Sequence, residues 1–183
     1  MKKYCLYLIL FIFTNTVLFS QNEDNVTIKQ PRTKTKQTLF KTTITISPIH
    51  LAMPVVELMG EFALSPKVSV AVVGGLGTYE GFSVSEFGGQ LNLYATGNFD
   101  KGMQVGLEIL YASVSGSIEN VSGVGNGLSI GPFIGYKGAF DFGLSIDIQL
   151  GVAFMTVQAE ASGSTASAKA TAPLLNLNVG WSF

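Results

Sequence analysis

Charge is scarce in this chain. Asp, Glu, Lys and Arg make up only 13% of its 183 residues, roughly half the ~25% of an average soluble domain. A soluble surface of this size normally carries more charge, whereas a lipid-facing one does not. Arginine occurs once, at Arg32, and histidine once, at His50. The single cysteine, Cys5, lies in an apolar N-terminal segment. The rest of the chain therefore has no intramolecular disulfide, no thiol nucleophile and no thiolate ligand. One histidine and scattered carboxylates match no metal-ligand spacing, so no metal or other cofactor is expected. The net charge of −1 gives no footprint for nucleic acid. Beyond the N-terminus, no apolar run approaches the ~20 residues that a bilayer-spanning helix needs.

The N-terminus reads as an export signal. Lys2 and Lys3 precede an apolar run from Tyr4 to Phe19, and small Ser20 is followed by polar Gln21-Asn22-Glu23-Asp24. This order predicts a signal peptide over 1–20, cleaved after Ser20. An uncleaved anchor is the alternative, but the run is short for one. Residues 21–41 are mostly Thr, Lys, Gln and Asn and are expected to form a flexible periplasmic extension. Its cations Lys29, Arg32, Lys34, Lys36 and Lys41 read as a solvated linker, or as a segment resting on an acidic mouth.

The remaining residues, 42–183, are expected to form one domain, and their periodicity is that of a strand. From Phe142 to Phe154 every second residue is apolar, and Gly143, Ser145, Asp147, Gln149, Gly151 and Ala153 stand between. The final stretch repeats this with Leu175, Leu177, Val179, Trp181 and Phe183 against Asn176, Asn178, Gly180 and Ser182. Alternate side chains in a strand point to opposite faces. A face of Gly, Ser, Asp and Gln cannot serve as an apolar core, so the apolar face is expected outside, against lipid. Only helices and closed barrels satisfy their backbone groups in lipid. The expectation is therefore an all-β fold, an eight-stranded antiparallel up-and-down transmembrane β-barrel of a Gram-negative outer membrane.

Strands are predicted over 42–49, 54–64, 68–79, 86–97, 103–115, 127–137, 141–158 and 173–183. Short connections at Ser65-Pro66-Lys67, 98–102 and 137–141 carry turn residues. Longer ones are expected at 80–85, 116–126 and 159–172, with 162–171 a mobile low-complexity loop. In outer-membrane barrels short turns are periplasmic and long loops external, which orients the chain with both termini inside. Pro132 falls within a predicted strand, and a local bulge is expected there. Aromatics at Tyr136, Phe142, Phe154 and Trp181 are expected to form the lipid-facing interfacial belts.

Two segments carry a resemblance. The hairpin Gly135-Tyr136-Lys137-Gly138-Ala139-Phe140-Asp141-Phe142-Gly143-Leu144 with Asp147 beyond, and Ala63-Leu64-Ser65-Pro66-Lys67-Val68-Ser69-Val70, resemble small outer-membrane barrels of the OmpA and OmpX shape. The terminal Phe183 is similar to the C-terminal aromatic by which the barrel assembly machinery recognises such proteins. The resemblance covers about 42–183. It implies a monomeric barrel among outer-membrane lipids and lipopolysaccharide, and it is nearly silent on activity. The wall-binding domain of full OmpA is not matched here.

Strand parity turns Glu57, Glu61, Glu108 and Asp147 inward, with Lys137 near the periplasmic mouth. These acids are expected to be satisfied by Gln90, Asn92, Gln104, Gln149 and water as a polar plug, or else to line a narrow cation-preferring pore. Barrel enzymes that edit lipid A use histidine with serine and an acid. Here that would require His50, Ser47 and Glu57 to meet, which parity does not ensure, so no catalytic residue is expected. The glycine runs 74–77 and 123–127 lack the strand–loop–helix context of nucleotide loops. The leading expectation is a structural or surface protein of the envelope without catalysis.

Overall fold

A computed structural model describes residues 38–52, 55–79, 81–118, 121–161 and 164–183. The predicted signal peptide and all but the last few residues of the 21–41 extension lie outside these residues. The elements are β1 Thr42–Ile46, α1 Pro48–Leu51, β2 Val55–Ser65, β3 Val68–Tyr79, β4 Phe82–Tyr94, β5 Lys101–Ile118, β6 Val121–Ala139, β7 Leu144–Ala161 and β8 Ser164–Ser182. Every strand pairs antiparallel with its chain neighbour, and β1 pairs with β8 to close the ring in the order β1 to β8. The C-terminus joins the closing seam: Phe183 donates its N–H to the Thr42 carbonyl, and its own carbonyl accepts from Lys41 N–H.

Side-chain alternation decides which face is which. On β2, Val55, Glu57, Met59 and Glu61 are buried while Val56, Leu58 and Phe62 are exposed. On β7, Ser145, Asp147 and Gln149 are buried while Ile148, Leu150, Val152 and Phe154 are exposed. The usual polarity of a folded domain, with large apolar side chains inside, is thus inverted over most of the ring. Two small apolar clusters break the polar interior, Met59 with Ala71 and Val73, and Phe133 with Ala153 and Leu174.

The far end, opposite both the short turns and the C-terminus, departs from the sequence expectation. The strands β5 to β8 continue through the segments expected to be long loops, approaching to within three positions of one another at Ile118/Val121 and Ala161/Ser164. The segment 164–171 pairs along β7, from Ala161↔Ser164 to Phe154↔Thr171. Its Ser, Thr and Ala side chains are small enough for a pleated ladder, and low complexity did not prevent pairing. The glycine run 123–127 likewise lies in β6, paired on both sides. The contrast of short and long connections is therefore replaced by one of strand length: β7 and β8 have 18 and 19 residues, β1 only 5. Pro132 produces no bulge. The β6–β7 ladder skips Gly131 and Pro132 and resumes in the same register, Ile130↔Phe154 and then Phe133↔Gly151. Proline withholds a hydrogen bond but inserts no residue. The observed register shift is elsewhere, between Ala63 and Ser65.

The short β1 shapes the lumen. It pairs with β8 over Thr43↔Ser182 to Ile46↔Val179, and then the chain leaves the wall. Ser47 is extended, Pro48 takes the first helical position and Leu51 N–H closes one turn onto the Ser47 carbonyl. Proline suits this position because its fixed φ is already helical and its missing N–H would be unpaired there. The single turn of α1 thereby carries His50 to the inner side of the ring, where sequence reading placed only a poorly defined connection.

Candidate functional site

The lumen is stacked in three polar layers. Nearest the short turns lies Glu61. One of its oxygens, Oε1, accepts from Ser69 Oγ, from Asn92 Nδ2 at 3.0 Å and from Tyr94 OH at 2.7 Å. The other, Oε2, meets Lys137 Nζ at 2.6 Å, with both residues 1% exposed. Lys137 Nζ also donates to Thr43 Oγ1 at 2.8 Å and stands 3.5 Å from the centre of the Phe99 ring. Phe99, on the β4–β5 turn, is wholly buried and packs edge-on against Tyr94. A buried charge is tolerated only when paired and hydrogen-bonded. Here the carboxylate has four donors, and the ammonium has an acid, a hydroxyl and an aromatic face.

The middle layer joins four strands. Asp147 accepts from Gln104 Nε2 at 2.6 Å and Gln149 Nε2 at 2.7 Å. Glu108 accepts from Gln90 Nε2 at 2.7 Å and Asn176 Nδ2 at 3.0 Å. Gln149 links the two halves, bonding to both Gln90 and Asn176. Gln90 faces Glu108, and Gln149 faces Asn176, across adjacent strands. These long amides bridge a lumen in which Gly106 leaves room for the ring of Phe133: a Cβ on Gly106 would stand 2.3 Å from its Cζ.

The third layer, toward the far end, holds Ser47, His50, Glu57 and Glu86. His50 Nδ1 lies 2.9 Å from Ser47 Oγ and 3.3 Å from Glu57 Oε1. Glu57, Gly75 and Glu86 are consecutive cross-strand neighbours on β2, β3 and β4. Glu86 bends over the glycine: a Cβ on Gly75 would meet its Oε1 at 2.2 Å. The absence of that Cβ is what lets the two carboxylates approach. The Glu57 carboxylate beside it holds the His50 imidazole above its ordinary pKa, and partial burial opposes this.

All five lumen residues singled out from sequence, Glu57, Glu61, Glu108, Asp147 and Lys137, are buried inside the ring. They fall into different layers: Glu61 with Lys137, Asp147 with Glu108, and Glu57 with His50. His50 does meet Ser47 and Glu57. Serine and acid, however, address the same ring nitrogen, whereas a serine–histidine–acid relay needs them on opposite nitrogens. Sequence reading missed Glu86, although it shares the even-numbered parity of Gln90 and Asn92. Phe99 was missed because a turn residue carries no periodicity.

On the outer face Tyr136, Phe142, Phe154 and Trp181 are all exposed, as is Phe183. Phe140 stacks on Phe142 at 5.6 Å, and Phe142 meets Trp181 edge-on at 6.0 Å. Gly143, at φ +105°, brings its backbone under the indole, where a Cβ would stand 2.4 Å from Nε1.

No protein-family model, curated protein or solved structure matches this chain. The likeness to small outer-membrane barrels thus rests on the segments quoted above.

Proposed function

We propose that this chain is an integral outer-membrane β-barrel with a structural or surface role in the envelope, its lumen closed by its own side chains and without catalysis. The observation that carries the reading is the inverted polarity of the ring. Ile148, Leu150, Val152 and Phe154 on β7, and Met103, Val105, Leu107, Ile109 and Tyr111 on β5, are exposed, while Glu61, Lys137, Asp147 and Gln149 are buried. An exposed apolar band of this kind is rare on a soluble monomer and marks an interaction or membrane surface, and a transmembrane strand needs only ~9–11 residues to cross the hydrocarbon. The polar continuations of β5 to β8 at the far end then stand clear of the bilayer on the cell exterior. Exposed Tyr136, Phe142 and Trp181 suit the periplasmic interface and Phe154 the external one. Lipids and lipopolysaccharide would be the partners in the membrane, and Phe183 would serve the assembly machinery during biogenesis.

Closure is supported by the layers themselves, in which glutamines and asparagines span the lumen and Phe99 and Phe133 fill its apolar gaps. Eight-stranded barrels are narrow enough to be filled this way. A cation-preferring pore is the second reading, favoured among the described residues by five lumen acids, with Glu86 included, against the one lysine Lys137. The two separate in a planar bilayer. Folded protein, identified by its gel shift between unboiled and boiled samples, should be electrically silent. Stable, ohmic, cation-selective steps would establish the pore instead.

A further inference from the structure

Glu57 and Glu86 are the lumen carboxylates for which the two lower layers provide no partner. Lys137 is committed to Glu61, and the amides of the middle layer to Asp147 and Glu108. Among the described residues, the nearest positive group for Glu57 is the His50 imidazole. Among the buried side-chain atoms without a hydrogen-bond partner, Glu86 Oε1 is the one carboxylate oxygen. Two carboxylates drawn together across a glycine in a partly desolvated cavity repel each other unless one takes up a proton or a cation stands between them.

We propose that His50, Glu57 and Glu86 form a binding site for a divalent transition-metal cation of the Zn2+ class, open to the far mouth of the barrel. One donor atom from each residue lies within 4.8 Å of the other two. The His50 Nδ1 to Glu57 Oε1 separation is 3.3 Å, longer than the ~2.7–2.9 Å of a charge-assisted hydrogen bond. It matches the ~3.3 Å edge of a tetrahedron drawn with metal–ligand bonds of ~2.0–2.1 Å. Torsional adjustment of Glu86 brings its oxygen to the same centre, and the bare backbone of Gly75 gives it that freedom. An imidazole with two carboxylates is a borderline donor set, suited to Zn2+ and its neighbours more than to Ca2+ or Mg2+. A divalent ion would also neutralise the carboxylate pair.

Three protein ligands leave a fourth position open, bordered by Ser47 Oγ at 2.9 Å from the histidine nitrogen. Closed structural zinc sites use four protein ligands, so this one suits an exchangeable ion. The His50 side chain is 20% exposed, which gives the ion a path from the far end. The site goes beyond the envelope role proposed above and does not depend on whether the barrel conducts.

The test is Zn2+ binding by isothermal titration to the folded, tag-free full chain, alongside His50→Ala, Glu86→Gln and Gly75→Ala. The last keeps all three ligands and places a methyl group where the Glu86 carboxylate sits. Each variant is first checked for folding by its gel shift. One equivalent of Zn2+ is expected to bind the parent, with at least tenfold weaker binding in each variant that folds. Absence of binding to the parent would overturn the site, as would undiminished binding in His50→Ala and Glu86→Gln. Should both of those fail to fold, Co2+ bound to the parent must show the absorption of a nitrogen-ligated tetrahedral ion, and a spectrum of octahedral aquo-cobalt would overturn the site.

Discussion

Lys137 and Glu61 are 76 residues apart in the chain and 2.6 Å apart inside the ring. The pair connects β6 to β2 across the lumen, and both side chains are almost wholly removed from solvent. Removing one partner of such a pair leaves an uncompensated charge and costs about 3–5 kcal/mol. Lys137→Met should therefore lower stability by that order in urea unfolding from lipid vesicles. Adding Glu61→Gln should recover a substantial part, because the glutamine can still accept from Ser69, Asn92 and Tyr94. A single variant as stable as the parent would mean that the pair is dispensable.

Much of this interior was legible as parity. Once β2, β5 and β7 were recognised by alternation, Glu57, Glu61, Glu108 and Asp147 had to face inward, because a side chain in a strand has only two directions. Which of them would pair with Lys137 was not legible. That depends on the stagger of strands around the ring, which local sequence does not encode. The far-end hairpins were misread for a related reason. Residues 164–171 carry no alternation of large apolar and polar side chains, yet the long β7 supplies a ladder for them. His50 was placed correctly only in the sense of being in a connection. The inward course of α1 follows from β1 stopping after Ile46, a tertiary event.

The β1–β8 seam should be the least tolerant part of the wall. It holds only four ladder pairs, and a Cβ on Gly180 would stand 1.9 Å from the backbone oxygen of Ile44. Backbone cannot swing aside, whereas the Glu86 side chain over Gly75 can. Gly180→Ala should destabilise by at least the ~1–3 kcal/mol usual for overpacking, and Gly75→Ala by clearly less. Parallel urea titrations would decide, and equal losses would contradict the difference in mechanism.

Ile148 lies in the middle of the outward belt and is 48% exposed. An arginine there should oppose insertion by about 2–4 kcal/mol, the cost at a bilayer midplane. Folding yield into vesicles, read by gel shift, should fall for Ile148→Arg and remain normal for Ser167→Arg on the far-end extension of β8. Equal yields would contradict the assignment of faces.

His50 provides a pH-dependent readout free of overlap, because it is the chain's sole histidine. In metal-free protein its imidazole should titrate above the ordinary ~6.5, as the adjacent Glu57 carboxylate favours the protonated form. The folded-state value is raised, so this interaction contributes stability that is fully present below ~pH 6.5 and is lost as pH rises through the folded value. Imidazole NMR shifts in the presence of chelator would check this. A value at or below 6.5 would remove the contact with Glu57 from the solution structure.

The sole tryptophan, Trp181, stands on the outer face against Phe142 and is 45% exposed. If the apolar belt is a lipid surface, this indole lies at the periplasmic interface of the bilayer. The most direct measurement is quenching of its fluorescence in vesicles of lipids brominated at defined depths, beside quenching by aqueous iodide. The expected result is strong quenching by bromines near the headgroups, weaker quenching by those near the midplane, and protection from iodide. Free access to iodide with no response to brominated lipid, in protein shown to be folded, would contradict a membrane-spanning ring.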